Sequence, residues 1–241
     1  MLEEHFGSWS VPNASTLAAA SDSQGTQHQQ LRVAIVDRPG AVQTVVRFAM
    51  PAPAYADPGR AARSLLNTLF GGSFTSRLNQ NLREKNGYTY GARSSFTLAR
   101  TQGAFVASSS IRADVTGPAI AEFLKEFDSL RSGTITPGEL TKSRETVRND
   151  IVEGFQGLPG ILAAASRPIA VGEGYATLAS DLASLGRITT EELNALAASS
   201  VTLEQGVLVL VGDKAVILEQ IRDLPLPAPV EYDAFGEPIK P

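Results

Sequence analysis

The chain contains no cysteine and only two histidines, His5 and His28, both near its N-terminus. The first absence excludes disulfides, thiolate zinc sites, iron–sulfur clusters and a cysteine nucleophile. The second leaves every imidazole-based site dependent on those two residues. Positive charge is also in short supply: 21 Lys and Arg against 25 Asp and Glu give a formal net charge of −4 and a pI near 5.3. Such a balance argues against a nucleic-acid partner held by charge. No run reaches the roughly 18 consecutive apolar residues that a membrane-spanning helix needs, so the chain reads as soluble. Its first residues, Met1 to His5, lack a basic n-region and an apolar h-region and do not form a signal peptide. A Cys-free chain tolerates either redox compartment. A periplasmic or envelope location through a signal on a longer parent chain is therefore compatible with it.

What is present suffices for a sizeable core: 43 % of the 241 residues are hydrophobic, with 10 Phe among them. A short amphipathic piece, Leu2 to Trp9, precedes the polar stretch Ser21–Gln30, which has the composition of a linker. The β-branched runs 31–37 and 42–50 flank Arg38, Pro39, Gly40 and Ala41, a hairpin-like signal. Asp57 and Pro58 supply an N-cap and an N1 proline for a helix over 60–70, with Ala62, Leu65, Leu66 and Leu69 as its apolar stripe. Gly71 and Gly72 end that helix, and Ser73 caps the next, which runs to Lys85 and closes at Asn86-Gly87.

Strands are expected at 89–98 and 103–111, then a helix over 116–131 with Ile120, Phe123, Phe127 and Leu130 facing inward. Thr136 and Glu139 form one capping box, with Pro137 at N1, and Thr189 and Glu192 form another. Further helices are expected over 158–171 and 174–185. The continuous apolar run 207–211 reads as a buried strand before a last helix over 214–222. The segment from Leu224 onward, with five prolines in 18 residues, is extended. Strands grouped in this ββααββα order predict an α+β fold, a mainly antiparallel sheet covered by helices on one side. The expected organisation is an N-terminal helix and linker over 1–30, one domain over 31–224 and an extended Pro-rich tail over 225–241.

Most catalytic patterns are missing. Neither H-x-x-E-H nor H-E-x-x-H occurs, Glu3-Glu4-His5 lacks a second imidazole one turn away, and no G-x-S-x-G elbow is present. Gly71-Gly72-Ser73 lacks the Lys-Ser/Thr of a phosphate loop and reads as a helix stop and restart. The unusual stretch is 71–91, a helix with Arg77 and Arg83 that turns at Gly87 into a Tyr-rich strand. Tyr88 and Tyr90 are two apart and would share a strand face. Arg83, in the last helical turn, and Tyr90 stand where they could converge to hold a peptide carbonyl or carboxylate. The plainer reading of the two residues is a helix-capping arginine and a tyrosine packed in a sheet.

This stretch resembles the second-domain signature of the insulinase/pitrilysin-like zinc metallopeptidases, which include the mitochondrial processing peptidases. Matching pieces are Asp37-Arg38-Pro39-Gly40-Ala41-Val42-Gln43, Leu69-Phe70-Gly71-Gly72-Ser73-Phe74-Thr75-Ser76-Arg77-Leu78, the run from Leu82 to Gly91, and Thr136-Pro137-Gly138-Glu139-Leu140. Their order and spacing fit over roughly residues 31–222. The resemblance implies a substrate-binding half without a zinc motif, facing a homologous H-x-x-E-H-bearing domain or subunit that carries the zinc. Arg83 and Tyr90, at the family's seven-residue spacing, would then hydrogen-bond the peptide substrate; Tyr88 is given no role. No catalytic residue, metal ligand or cofactor is expected within this chain. The first 12 residues resemble the end of a preceding domain, which favours a half separated from its partner. A structural subunit of the same fold without proteolytic role is the alternative, and an unrelated α+β binding module is a third reading.

Overall fold

The computed structural model describes residues 2–8 and 29–239. His28 and most of the linker-like stretch lie outside the described residues. A short helix α1 (Leu2–Phe6) comes first, and the fold proper is a six-stranded sheet with helices packed on one face. The strands are β1 (Arg32–Asp37), β2 (Gln43–Ala52), β3 (Thr89–Thr97), β4 (Gly103–Arg112), β5 (Val207–Gly212) and β6 (Val230–Tyr232), in the order β3-β4-β2-β5-β1-β6. The pairings β3/β4, β4/β2 and β2/β5 are antiparallel, whereas β5/β1 and β1/β6 are parallel. The fold is α+β with a mainly antiparallel sheet.

The expected β1–β2 hairpin does not form. Its turn is present, with Gly40 at φ +74°, but β5 is inserted between the two strands. It runs parallel to β1 from Arg32↔Val207 to Asp37↔Gly212 and antiparallel to β2 from Val45↔Val211 to Ala49↔Val207. Within β5 Leu208 and Leu210 are fully buried, whereas Val207, Val209 and Val211 are only partly buried. The Gly40 N–H then donates to Asp213 Oδ2 at 2.8 Å, tying the turn to the start of the last helix. Within the Pro-rich tail, Val230–Tyr232 adds β6 alongside β1.

β2 shows why helices cover one face only. Val46, Phe48 and Met50 are buried while Val45 and Arg47 between them are exposed, the period-2 pattern of a half-covered sheet. The helices are α2 (Arg60–Asn67), α3 (Thr116–Arg131), α4 (Pro137–Gly154), α5 (Leu158–Ala170), α6 (Ala176–Leu185), α7 (Thr190–Ser200) and α8 (Lys214–Ile221). From α3, Phe123 and Phe127 reach Phe48 with ring centroids 5.4 and 5.2 Å away, and Phe127 also meets Phe70 at 5.2 Å. Tilted and edge-on aromatic pairs of this kind add to the area they bury. Both capping boxes form, Thr136 with Glu139 at α4 and Thr189 with Glu192 at α7. Asp57 does not cap α2 as expected. Its Oδ1 accepts from the Gly59 N–H and pairs with Arg63, so α2 begins at Arg60. Among the described residues no helix is long and apolar enough to cross a membrane.

Candidate functional site at the end of a π-helix

The stretch 60–97 departs from regular helix twice. Beyond Asn67, α2 widens into a π-helical turn, Thr68–Gly72. A side chain at Gly71 would place Cβ 2.5 Å from the Ser94 amide nitrogen, so only glycine lets β3 approach this closely. After a turn over 73–76 the chain re-enters a helix at Arg77, which widens again into a π-helix, Asn79–Lys85. Such insertions are uncommon and recur at functional sites. Ser73 is not the N-cap expected of it; its carbonyl instead accepts from the Ser76 N–H and the Asn79 side chain. Gly87, at φ +63°, turns the chain into β3.

One set of side chains on this segment is consumed internally. Asn79, 5 % exposed, donates through Nδ2 to the carbonyls of Ser73 and Ala92 at 3.1 and 2.9 Å and to Ser76 Oγ. Its Oδ1 accepts from the Ala92 N–H at 2.9 Å. A single amide thus makes four bonds, two to the preceding turn and two that staple the π-helix to Ala92 on β3. Asn81 donates to Glu122 Oε2 and Glu126 Oε1 on α3 at 2.7 and 2.6 Å and accepts from Asn86 at 2.7 Å. The hydrogen bond from Asn81, reinforced by Lys125 and Lys85 against some burial, holds the Glu122 carboxyl below the ordinary glutamate range.

Arg77 makes a bidentate pair with Glu139 at 2.7 and 2.9 Å and also reaches Ser129 and Thr134. Glu139 is simultaneously the capping-box residue of α4, accepting from the Thr136 N–H at 2.9 Å. Burial opposes its ionisation, but the bonds from Arg77 and Thr136 outweigh that and lower its pKa. Of the two arginines noticed in the sequence, Arg77 is therefore a structural clamp. Asn79, Asn81 and the Arg77–Glu139 pair were not singled out by sequence reasoning. The available signal was two asparagines, poor helix formers, within one helical stretch.

Arg83 and Tyr90 are placed differently. Arg83 lies on the last turn, its guanidinium 4.1 Å from the ring centroid of Phe74, itself 65 % exposed, with Nη1 donating to Glu84 Oε1 at 2.7 Å. Tyr90 is 92 % exposed. It sits in a β-bulge: the register passes from Thr89↔Ile111 to Ala92↔Ser109, leaving three steps on β3 against two on β4. Thr89 Oγ1 fixes the bulge by donating to the Ser110 carbonyl at 2.8 Å and accepting from Ser109 Oγ at 2.8 Å and the Gly91 N–H at 3.1 Å. Because Tyr88 precedes the strand and the bulge follows it, the two tyrosines do not share a face as expected. Tyr88 packs against the core while Tyr90 points to solvent. Among the described residues no hydrogen bond joins Arg83 to Tyr90; both flank the junction of helix and edge strand β3.

A zinc site does not fit this set of residues. His5 is exposed on α1, His28 lies outside the described residues, and among the described residues no group of three or more His, Cys, Asp or Glu could hold a metal ion.

Comparison with known proteins gives concordant matches. The family model described as the peptidase M16 inactive domain matches residues 1–147. An uncharacterized zinc protease of Mycobacterium bovis is 25 % identical over 224 residues, which cover 92 % of this chain and 51 % of that protein. The chain thus spans about half the length of the curated relatives it matches. A crystal structure described as a peptidase M16 inactive domain from Pseudomonas fluorescens superposes with a TM-score of 0.70 at 23 % identity, covering 77 % of this chain and 44 % of that one. An inactive peptidase domain from Bordetella parapertussis superposes with a TM-score of 0.62 at 14 % identity, covering 72 % of this chain and 94 % of that one.

Proposed function

This chain belongs to the family of M16 peptidase inactive domains, and on that premise we propose that it is the substrate-binding half of an insulinase-like zinc peptidase. The observation that carries this reading is the contrast within 77–90. Arg77, Asn79 and Asn81 are all engaged inside the fold, whereas Arg83 and Tyr90 keep donors directed outward. The Arg83–Glu84 contact lies at the surface and is weak enough to exchange for a ligand. In this role the Arg83 guanidinium and the Tyr90 hydroxyl donate hydrogen bonds to a backbone carbonyl of the bound peptide. Those bonds strengthen as the oxygen gains negative charge during cleavage.

The zinc and its H-x-x-E-H motif belong to a homologous partner, either a further domain of a longer chain or a separate subunit. The proposed domain unit is 31–224, preceded by a helix and linker over 1–30 and followed by a tail, 225–241, that lends β6 to its sheet. Two measurements on the purified chain test this reading, metal content after exchange with zinc and cleavage of a peptide library. The expected result is no stoichiometric zinc and no cleavage, with cleavage appearing on addition of an H-x-x-E-H-bearing half. Tight zinc at one equivalent per chain, or cleavage by the chain alone, overturns it.

A further inference from the structure

The face of the sheet opposite the helices carries charge of one sign. Its outward-pointing positions, every second residue along each strand, are all exposed or half-buried, whereas the alternate positions are mostly buried against the helices. The registers place four arginines on this outward face, Arg32, Arg47, Arg93 and Arg112, and no Asp or Glu. Composition does not explain the segregation, because the chain holds 25 acidic residues against 21 Lys and Arg. Acids in these strands or just beyond them are held elsewhere. Asp37 accepts from the Lys214 N–H, Asp213 caps α8, Glu231 pairs with Lys214, and Asp233 accepts from the N–H groups of the turn that follows it. Asp114 pairs with Arg112. Among the described residues the guanidinium groups of Arg32, Arg47 and Arg93 make no hydrogen bond or ion pair.

Arg93 and Arg47 belong to one cross-strand row, with Ser108 of β4 between them. Two strand spacings, about 10 Å, separate the pair, and the short Ser108 side chain lets both long side chains reach one ligand. Val45, Val106, Val209 and Val211 point outward around them and form an apolar floor. In the β3 bulge, residues 90 and 91 stand opposite the outward-facing Ser110, so Tyr90 borders the same face.

We infer that this sheet face docks a peptide rich in Glu or Asp, its carboxylates on Arg47 and Arg93 and its small or apolar side chains on the valines. The inference rests on the peptide-binding reading of Arg83 and Tyr90 and names the class of peptide. A net charge of −4 disfavours a long polyanion such as a nucleic acid on the same surface.

Fluorescence anisotropy on the whole chain reads the affinity of a peptide of alternating Glu and Ala carrying an uncharged dye. The same peptide with Gln or with Lys in place of Glu gives the comparison. The Glu peptide binds about tenfold tighter than the Gln peptide, and the Lys peptide shows no measurable binding. Arg47→Gln combined with Arg93→Gln removes the preference, and Arg47→Lys combined with Arg93→Lys keeps most of it. Arg131→Gln combined with Arg222→Gln removes the same charge from the ends of α3 and α8 and leaves the preference unchanged. All four positions are exposed, so thermal melts of the variants match the parent chain. Equal affinity for the Glu and Gln peptides overturns the inference, as does failure of all three peptides to bind. A preference that survives in the Arg47/Arg93 Gln variant, or vanishes in the helix-end variant, also overturns it, and so does displacement of the Glu peptide by an equal concentration of oligothymidylate. The readout is affinity without a partner half, so zinc content and cleavage decide the peptidase reading separately.

Discussion

The helical segment 77–85 and the bulge that follows it present two faces with opposite chemistry. On the inward face Arg77, Asn79 and Asn81 spend their polar atoms on Glu139, Ala92, Glu122 and Glu126. On the outward side Arg83 and Tyr90 meet solvent, held only by a surface contact to Glu84 and a stacked Phe74. A buried polar group left unpaired costs free energy, because its water has been removed. An exposed one keeps its water. The difference separates polar groups spent inside the fold from polar groups left at the surface.

That comparison is broken most severely from the inside. Asn79→Ala leaves the Ala92 N–H and two carbonyls without partners in a buried place and should cost about 3 kcal/mol of stability, read as the urea midpoint. A drop below about 0.5 kcal/mol would mean that water replaces the side chain without loss.

A smaller effect is expected at Glu139. Its carboxyl is held below the ordinary value of 4.5, so the Arg77 pair contributes stability above that pH, and the contribution is lost as the pH falls through the lowered pKa. Glu139→Gln should lower stability by about 1–2 kcal/mol at pH 7. The parent chain should then lose more stability than the variant on acidification from pH 5 to pH 3, measured by thermal melts across that range. Parallel pH profiles for the two proteins would remove Glu139 from the clamp.

The local grammar of this fold was legible in the sequence and its non-local pairings were not. Both capping boxes and the inward stripe of α3 follow from residues within one or two turns of each other. The β1–β2 hairpin signal was misleading because β5, which separates those strands, lies more than 150 residues further along the chain. No turn chemistry at Pro39-Gly40 announces that insertion. Asp57 carries the right residue type for an N-cap, yet the partner that captures it is Arg63, six residues on. At the candidate site, Arg83 and Tyr90 were visible as a spaced pair within a familiar signature. Their scaffold was hidden, since a bulge and a π-helix depend on bonds such as Asn79 to Ala92 and Asn81 to Glu122 that a periodicity reading does not reach.

The most direct test of the outward face compares Arg83→Ala and Tyr90→Phe with the parent chain, once the latter is combined with an H-x-x-E-H-bearing half that restores cleavage. Thermal melts of the isolated variants should lie within about 0.5 kcal/mol of the parent, because neither residue is spent on the core. Peptide cleavage by the combined halves should nevertheless fall about a hundredfold in kcat/KM for Arg83→Ala, and less for Tyr90→Phe. Unchanged kcat/KM in both variants, with the same melts, would contradict the account and leave Arg83 and Tyr90 as surface residues without a part in substrate binding.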